Sequence, residues 1–192
     1  MSPGRGNILN HPFQPRVLPA ITTEQLAEIA ALAGVIWRAV YPVIISNEQI
    51  EYMLARMYSL PTLFDETRVR NIRFYRLLVE EQTAGFASVG PTTAREVWKL
   101  HKLYLRPELH GRGLGRLLLQ HCETETQRLG ACRLILSVNK RNALALAMYQ
   151  KNGFAITDSV VTDIGGGFVM DDFIMTKDLC GTNVFQRNEP VV

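Results

Sequence analysis

The chain has 192 residues, 47% of them hydrophobic and 20% charged, with a formal net charge of +3. This length suits one domain with a full core, and the composition excludes a disordered or collagen-like chain. So mild a positive balance gives no reason to invoke nucleic acid or an anionic membrane as partner.

Residues 1–15, rich in Gly, Pro and Asn, read as a tail, and no apolar run marks a signal peptide before Pro19. Arg16 to Leu18 suits a short first strand. Thr22 or Thr23 then caps a helix carrying Leu26, Ile29, Ala30, Ala33 and Trp37 at helical spacing. The apolar stretch Ala27 to Ile45 is broken by Glu28, Gly34, Arg38 and Pro42, so no membrane span is expected. Ser46 and Gln49 form a capping-box pattern ahead of Ile50, Met53, Leu54 and Met57, and Pro61 is expected to stop that helix.

From Ile72 the period changes to two, predicting a hairpin through Val89 with its turn at Glu81-Gln82, then a strand over Trp98 to Leu105. A helix follows from about Arg112, with Leu114, Leu117, Leu118 and Cys122 on one stripe and Gly130 after its end. Cys132 to Val138 reads as a buried strand and Asn142 to Gln150 as a short helix. Phe154 to Val161 and Phe168 to Met175 are final strands, separated by Gly165-Gly166-Gly167. Residues 181–192 form a second tail, and 1–192 is one domain. Cys122, Cys132 and Cys180 are too widely spaced for a C-x-x-C unit, and their odd number argues against a disulfide framework. A reducing cytoplasm is therefore expected. No His, Cys or Asp spacing suggests a metal.

The informative stretch is His110-Gly111-Arg112-Gly113-Leu114-Gly115-Arg116, between a strand and a helix. Free backbone N–H groups and the helix dipole favour a phosphate there, and glycines let the backbone approach it. Arg112 and Arg116 add attraction. A dinucleotide fingerprint fails, because Arg116 or Leu118 stands where its last glycine belongs. A kinase-type phosphate loop lacks its Gly-Lys-Ser/Thr.

This turn, the lead-in Leu103-Tyr104-Leu105-Arg106-Pro107-Glu108, and the later run Asn142 to Phe154 together resemble the GNAT superfamily of N-acetyltransferases. The second run carries Asn142, Ala145, Tyr149 and Gly153-Phe154 at the family's spacing; His110 replaces the usual Gln or Arg of the turn. The resemblance spans about residues 70–180 and implies an α+β fold. Its mixed, mostly antiparallel sheet splays between two parallel strands, one ending at Leu105 and the other at Val138, with helices on its flanks.

It also implies acetyl-CoA as co-substrate. Backbone groups of Leu103 and Leu105 hold the pantetheine, residues His110 to Arg116 hold the pyrophosphate, and Asn142, Ala145, Tyr149 and Lys151 complete the cofactor site. A backbone donor that polarises the thioester is worth roughly 10²–10³ in rate. Tyr149 is the candidate acid for the departing thiolate. An amine of pKa about 10.4 lies roughly 3.4 units above neutrality, so freeing its lone pair costs about 4.6 kcal/mol. The family's carboxylate position is taken by Lys99, and His101 on the same strand face is the candidate base, with Glu96 nearer the strand start.

Asp171 and Asp172 read as a solvated pair on an edge strand, or as an attraction for a cationic acceptor. The runs around them and around Leu100 to Tyr104 resemble bacterial polyamine-type acetyltransferases more loosely. Direct transfer to a polyamine-like small amine or a peptide is expected, without a membrane or nucleic-acid partner, and a homodimer is compatible with it. The rivals are a non-catalytic acyl-CoA-binding module, favoured by Lys99, and a protein N-terminal or lysine acetyltransferase. A nucleic-acid patch of Arg106, Arg112, Arg116, Lys140, Arg141 and Lys151 lacks a stacking series of aromatics.

Overall fold

In the computed structural model the described residues are 14–180, so the two tails lie outside them except for Gln14 and Pro15. Polar caps set the first helices. Thr22 Oγ1 accepts from Gln25 N–H at 3.3 Å and Gln25 Oε1 accepts from Thr22 N–H at 3.1 Å, which opens α1 (Thr23–Val40) with a full capping box. Ser46 caps α2 (Asn47–Met57), but Gln49 does not close the box. Its amide donates instead to Val169 O at 2.8 Å and ties the helix to the sheet. The stop expected at Pro61 is a start. Ser59 caps α3 (Leu60–Arg68), and Pro61 sits in its first turn, where the missing N–H has no intrahelical partner to lose.

Seven strands follow: β1 (Arg16–Ala20), β2 (Arg73–Val79), β3 (Gln82–Pro91), β4 (Val97–Leu105), β5 (Arg133–Asn139), β6 (Ala155–Gly165) and β7 (Phe168–Asp178). Their order is β1-β2-β3-β4-β5-β7-β6, and only β4 and β5 run parallel. The β2–β3 turn lies at Glu80-Glu81, one residue before the expected place. Both residues have positive φ, 51° and 62°, as a type I′ hairpin turn requires. Two helices complete the chain, α4 (Leu114–Arg128) and α5 (Ala143–Lys151). This is the expected mixed sheet flanked by helices.

Each sheet face has its own core. On one, Ile29, Trp37, Met53 and Leu63 of α1–α3 pack on Phe74 and Phe86. By length and composition Thr23–Val43 could cross a bilayer, yet the apolar stripe of α1 is buried here against the sheet. On the other face, Leu118, Leu119 and Cys122 of α4 and Tyr149 of α5 pack on Val89, Leu100, Leu134 and Met175.

Cys132 and Cys180 form a disulfide, with Cα atoms 4.8 Å apart, which corrects the expectation of unpaired cysteines. The cause is topological: β5 and β7 are antiparallel neighbours with Arg133 opposite Asp178, and Leu179 N–H bonds Cys132 O at 2.8 Å, so Cys132 meets Cys180 just beyond the strand ends. The odd cysteine is Cys122, buried on the core side of α4. Cysteine count therefore no longer supports a reducing compartment. The bridge closes a separation of 48 residues. Cys180→Ser should lower unfolding free energy by about 2–4 kcal/mol, read from denaturant midpoints without reductant, and a reductant should bring the native chain down to the variant.

Candidate active site

A cleft of about 960 Å³ opens where β4 and β5 part. The two strands pair only from Val97 to Leu100 against Arg133 to Leu136, so the last residues of β4 have no neighbour on that side. Arg106 N–H donates to Ala84 O across β3 at 2.9 Å, and alternation along the strand turns the backbone groups of Leu103 and Leu105 toward the gap. The register of β3 on β4 slips at His101, with Val89 opposite Leu100 and Ser88 opposite Lys102. That bulge sends Leu100 into the core beneath α4 and Lys102 toward Tyr58 and Phe74 in the other core.

Beyond β4 the chain makes one 3-10 turn (Pro107–Leu109) and enters the glycine turn. His110 Nε2 bonds Leu105 O at 3.1 Å and braces the strand end. Gly113, with φ of 78°, caps α4 without a side chain, and no acidic residue stands in the first turn. The helical ladder begins with Leu117 N–H to Gly113 O at 3.0 Å, so the amides of residues 114–116 remain free for an anion. A Cβ at Gly111, Gly113 or Gly115 would meet nothing within 4 Å, which leaves the approach open. Arg116 lines the cleft; Arg112 is exposed outside it, and Leu114 packs on the core.

The N-terminal end of α5 forms the facing wall. Asn142 Oδ1 accepts from Ala145 N–H at 3.1 Å, which caps the helix and leaves the amide nitrogen to donate. Ala145, Tyr149 and Lys151 all line the cleft. The Tyr149 ring stands edge-on to Phe154 at 5.6 Å, and burial raises its pKa well above the ordinary phenol value. The hydroxyl therefore keeps its proton at neutral pH.

On the far side the cleft is aromatic and charged. Trp37 stacks on Tyr41 at 4.5 Å and lies 5.8 Å from Tyr104. Lys102 and Glu66 form a buried ion pair at 2.6 Å, with Lys102 Nζ 5.5 Å from the Tyr58 ring and 5.3 Å from that of Phe74. His101 lines the cleft, and its buried Nε2 has no hydrogen-bond partner. Burial, then Lys99, Lys102 and Arg70, lowers its pKa to about 4, so it is neutral at physiological pH and holds a proton weakly.

The reading of Asp171 and Asp172 as an edge pair needs correction, because β7 is an inner strand between β5 and β6. Asp171 pairs with Lys140 near the surface. Asp172 lines the cleft at 8% exposure, and its Oδ1 lacks a hydrogen-bond partner. Sequence reasoning missed Glu66 and Lys102 and gave Trp37 no role beyond the apolar stripe of its helix. A lysine between His101 and Leu103 in an apolar strand was the available signal for the first pair. Among the described residues no group of three or more His, Cys, Asp or Glu gathers as metal ligands.

The profile of the Acetyltransferase (GNAT) family matches residues 37–154. A spermidine N(1)-acetyltransferase of Thermoplasma acidophilum is 29% identical over 156 residues, covering 79% of this chain and 92% of that protein. The crystal structure of a PaiA N-acetyltransferase from the same organism, in complex with coenzyme A, aligns with a TM-score of 0.73 at 27% identity. That alignment covers 86% of this chain and 99% of the other. A ribosomal protein bS18-alanine N-acetyltransferase of Salmonella typhimurium is 33% identical over 79 residues, 41% of this chain and 52% of that protein.

Proposed function

With the chain established as a member of the Acetyltransferase (GNAT) family, we propose that it moves the acetyl group of acetyl-CoA onto a primary amine by direct attack in a ternary complex. The acceptor is a polyamine-like small molecule or a peptide; spermidine is the substrate in the name of one relative and a ribosomal-protein alanine in that of another. One observation carries the reading. The unpaired edge of β4 beyond Leu100 runs into the open N-terminus of α4, with Tyr149 in the same cleft.

Each part has a task in this scheme. Free amides of residues 114–116, with Arg116, take the pyrophosphate, and Arg112 and Lys151 add positive charge. Backbone groups of Leu103 and Leu105, and the Asn142 amide, hold the pantetheine and aim the thioester. Tyr149 gives its proton to sulfur as the C–S bond breaks. His101 is neutral in the cleft, but burial and the cations Lys99, Lys102 and Arg70 make it a weak proton acceptor.

Direct attack is favoured because no thiol is free to form an acyl-enzyme. Cys132 is bridged to Cys180, and burial pushes the Cys122 thiol far above its usual pKa. Initial rates with both substrates varied should give intersecting double-reciprocal lines. Parallel lines, the sign of a covalent acetyl-enzyme, would refute direct transfer.

A further inference from the structure

Asp172 is a buried carboxylate that makes no salt bridge within 4 Å among the described residues. It is 8% exposed, its Oδ1 has no hydrogen-bond partner, and it lines the cleft. Two of the charged groups in and around the cleft are engaged elsewhere. Lys140 is held by Asp171, and Glu66 by Lys102. Lys99 of β4 acts on Asp172 through space, lowering its pKa against the effect of burial, without a salt bridge between them, and Asn139, opposite in register on β5, accepts at Oδ1 from Arg141 N–H. A buried carboxylate oxygen left in this state is costly unless a cation meets it.

The fold shows nearby how an alkylammonium is accommodated: Lys102 lies between one carboxylate and two aromatic faces. Asp172 shares the cleft with Tyr41, Tyr104 and Trp37, the same kinds of group. We infer that Asp172 receives the ammonium group of the acceptor, which makes the acceptor a cationic alkylamine; this rests on the acetyl-transfer reading above. The ammonium gives one proton to the carboxylate, and the freed lone pair attacks the thioester carbon. The C–S bond breaks, sulfur takes the Tyr149 proton, and Tyr149 regains one from the nitrogen as the amide forms. Asp172 then returns its proton to water, and one proton is released per turnover. Burial raises the Asp172 pKa, which narrows the gap to the amine.

Asp172→Asn keeps the shape and removes the charge. Its kcat/KM for propylamine and 1,3-diaminopropane should fall about 100-fold, with acetyl-CoA affinity by calorimetry unchanged. Trifluoroethylamine, a weak base already neutral in the assay, should lose far less, and Asp172→Glu should recover part of the propylamine activity. An equal loss on both classes of amine, or none, overturns the inference. Should the Asn variant not fold, the wild-type enzyme decides: propyltrimethylammonium should compete with propylamine and butanol should not, and equal behaviour of the two overturns it. Wild-type protein that turns over no amine would instead remove the acetyl-transfer reading itself.

Discussion

Tyr149→Phe should lower kcat by about 10²-fold or more while the affinity for acetyl-CoA stays nearly constant. The substitution removes one oxygen and keeps the ring that packs edge-on to Phe154, so the wall of the cleft survives. What disappears is the proton donor to the departing thiolate. Burial raises the phenol pKa, so the group is fully protonated at neutral pH and remains ready to donate. Stopped assays of free CoA thiol, with acetyl-CoA binding measured separately, test this. A raised Kd with unchanged kcat would reduce Tyr149 to a packing residue.

Glu66→Gln should cost about 3–5 kcal/mol of stability, because it strands the ammonium of Lys102 inside the protein. In the native chain that ammonium is 2.6 Å from the Glu66 carboxylate, and the Lys102 side chain is 2% exposed. Burial lowers the Lys102 pKa, and Glu66 opposes that shift. Once Glu66 is gone, the unfolded chain holds the proton more firmly than the folded one, from the lowered native pKa up to about 10.4. Stability of the variant should therefore climb with pH through that window, more steeply than in the wild type. Adding Lys102→Met should restore much of the loss, since it leaves no charge to strand. Urea midpoints across the alkaline range measure all three proteins; a flat pH dependence in Glu66→Gln would contradict the account.

Much of the architecture was legible because it is written locally. The two-residue period of β2 to β4, the glycine turn before α4, and the spacing of Asn142 and Tyr149 each depend on neighbours within a few residues. What the sequence concealed depends on distant partners. The Lys102–Glu66 pair joins residues 36 apart, and the cysteine bridge closes 48. Asp172 is buried because β6 folds back outside β7, an order that strand periodicity does not specify. Pro61 misled for a different reason: the same ring that ends one helix suits the first turn of the next, and only the Ser59 cap distinguishes the two. The bulge at His101 likewise left the histidine in the cleft but gave it cationic surroundings that weaken it as a base.

The most direct test incubates the purified protein with acetyl-CoA and a panel of alkylamines, polyamines, amino acids and peptides, following free CoA thiol and the mass of the acceptor. Release of thiol matched one for one by an N-acetylated cationic alkylamine is the predicted result. Tight binding of acetyl-CoA with no thiol released across the whole panel would contradict it, and would make the cleft a binding site without transfer.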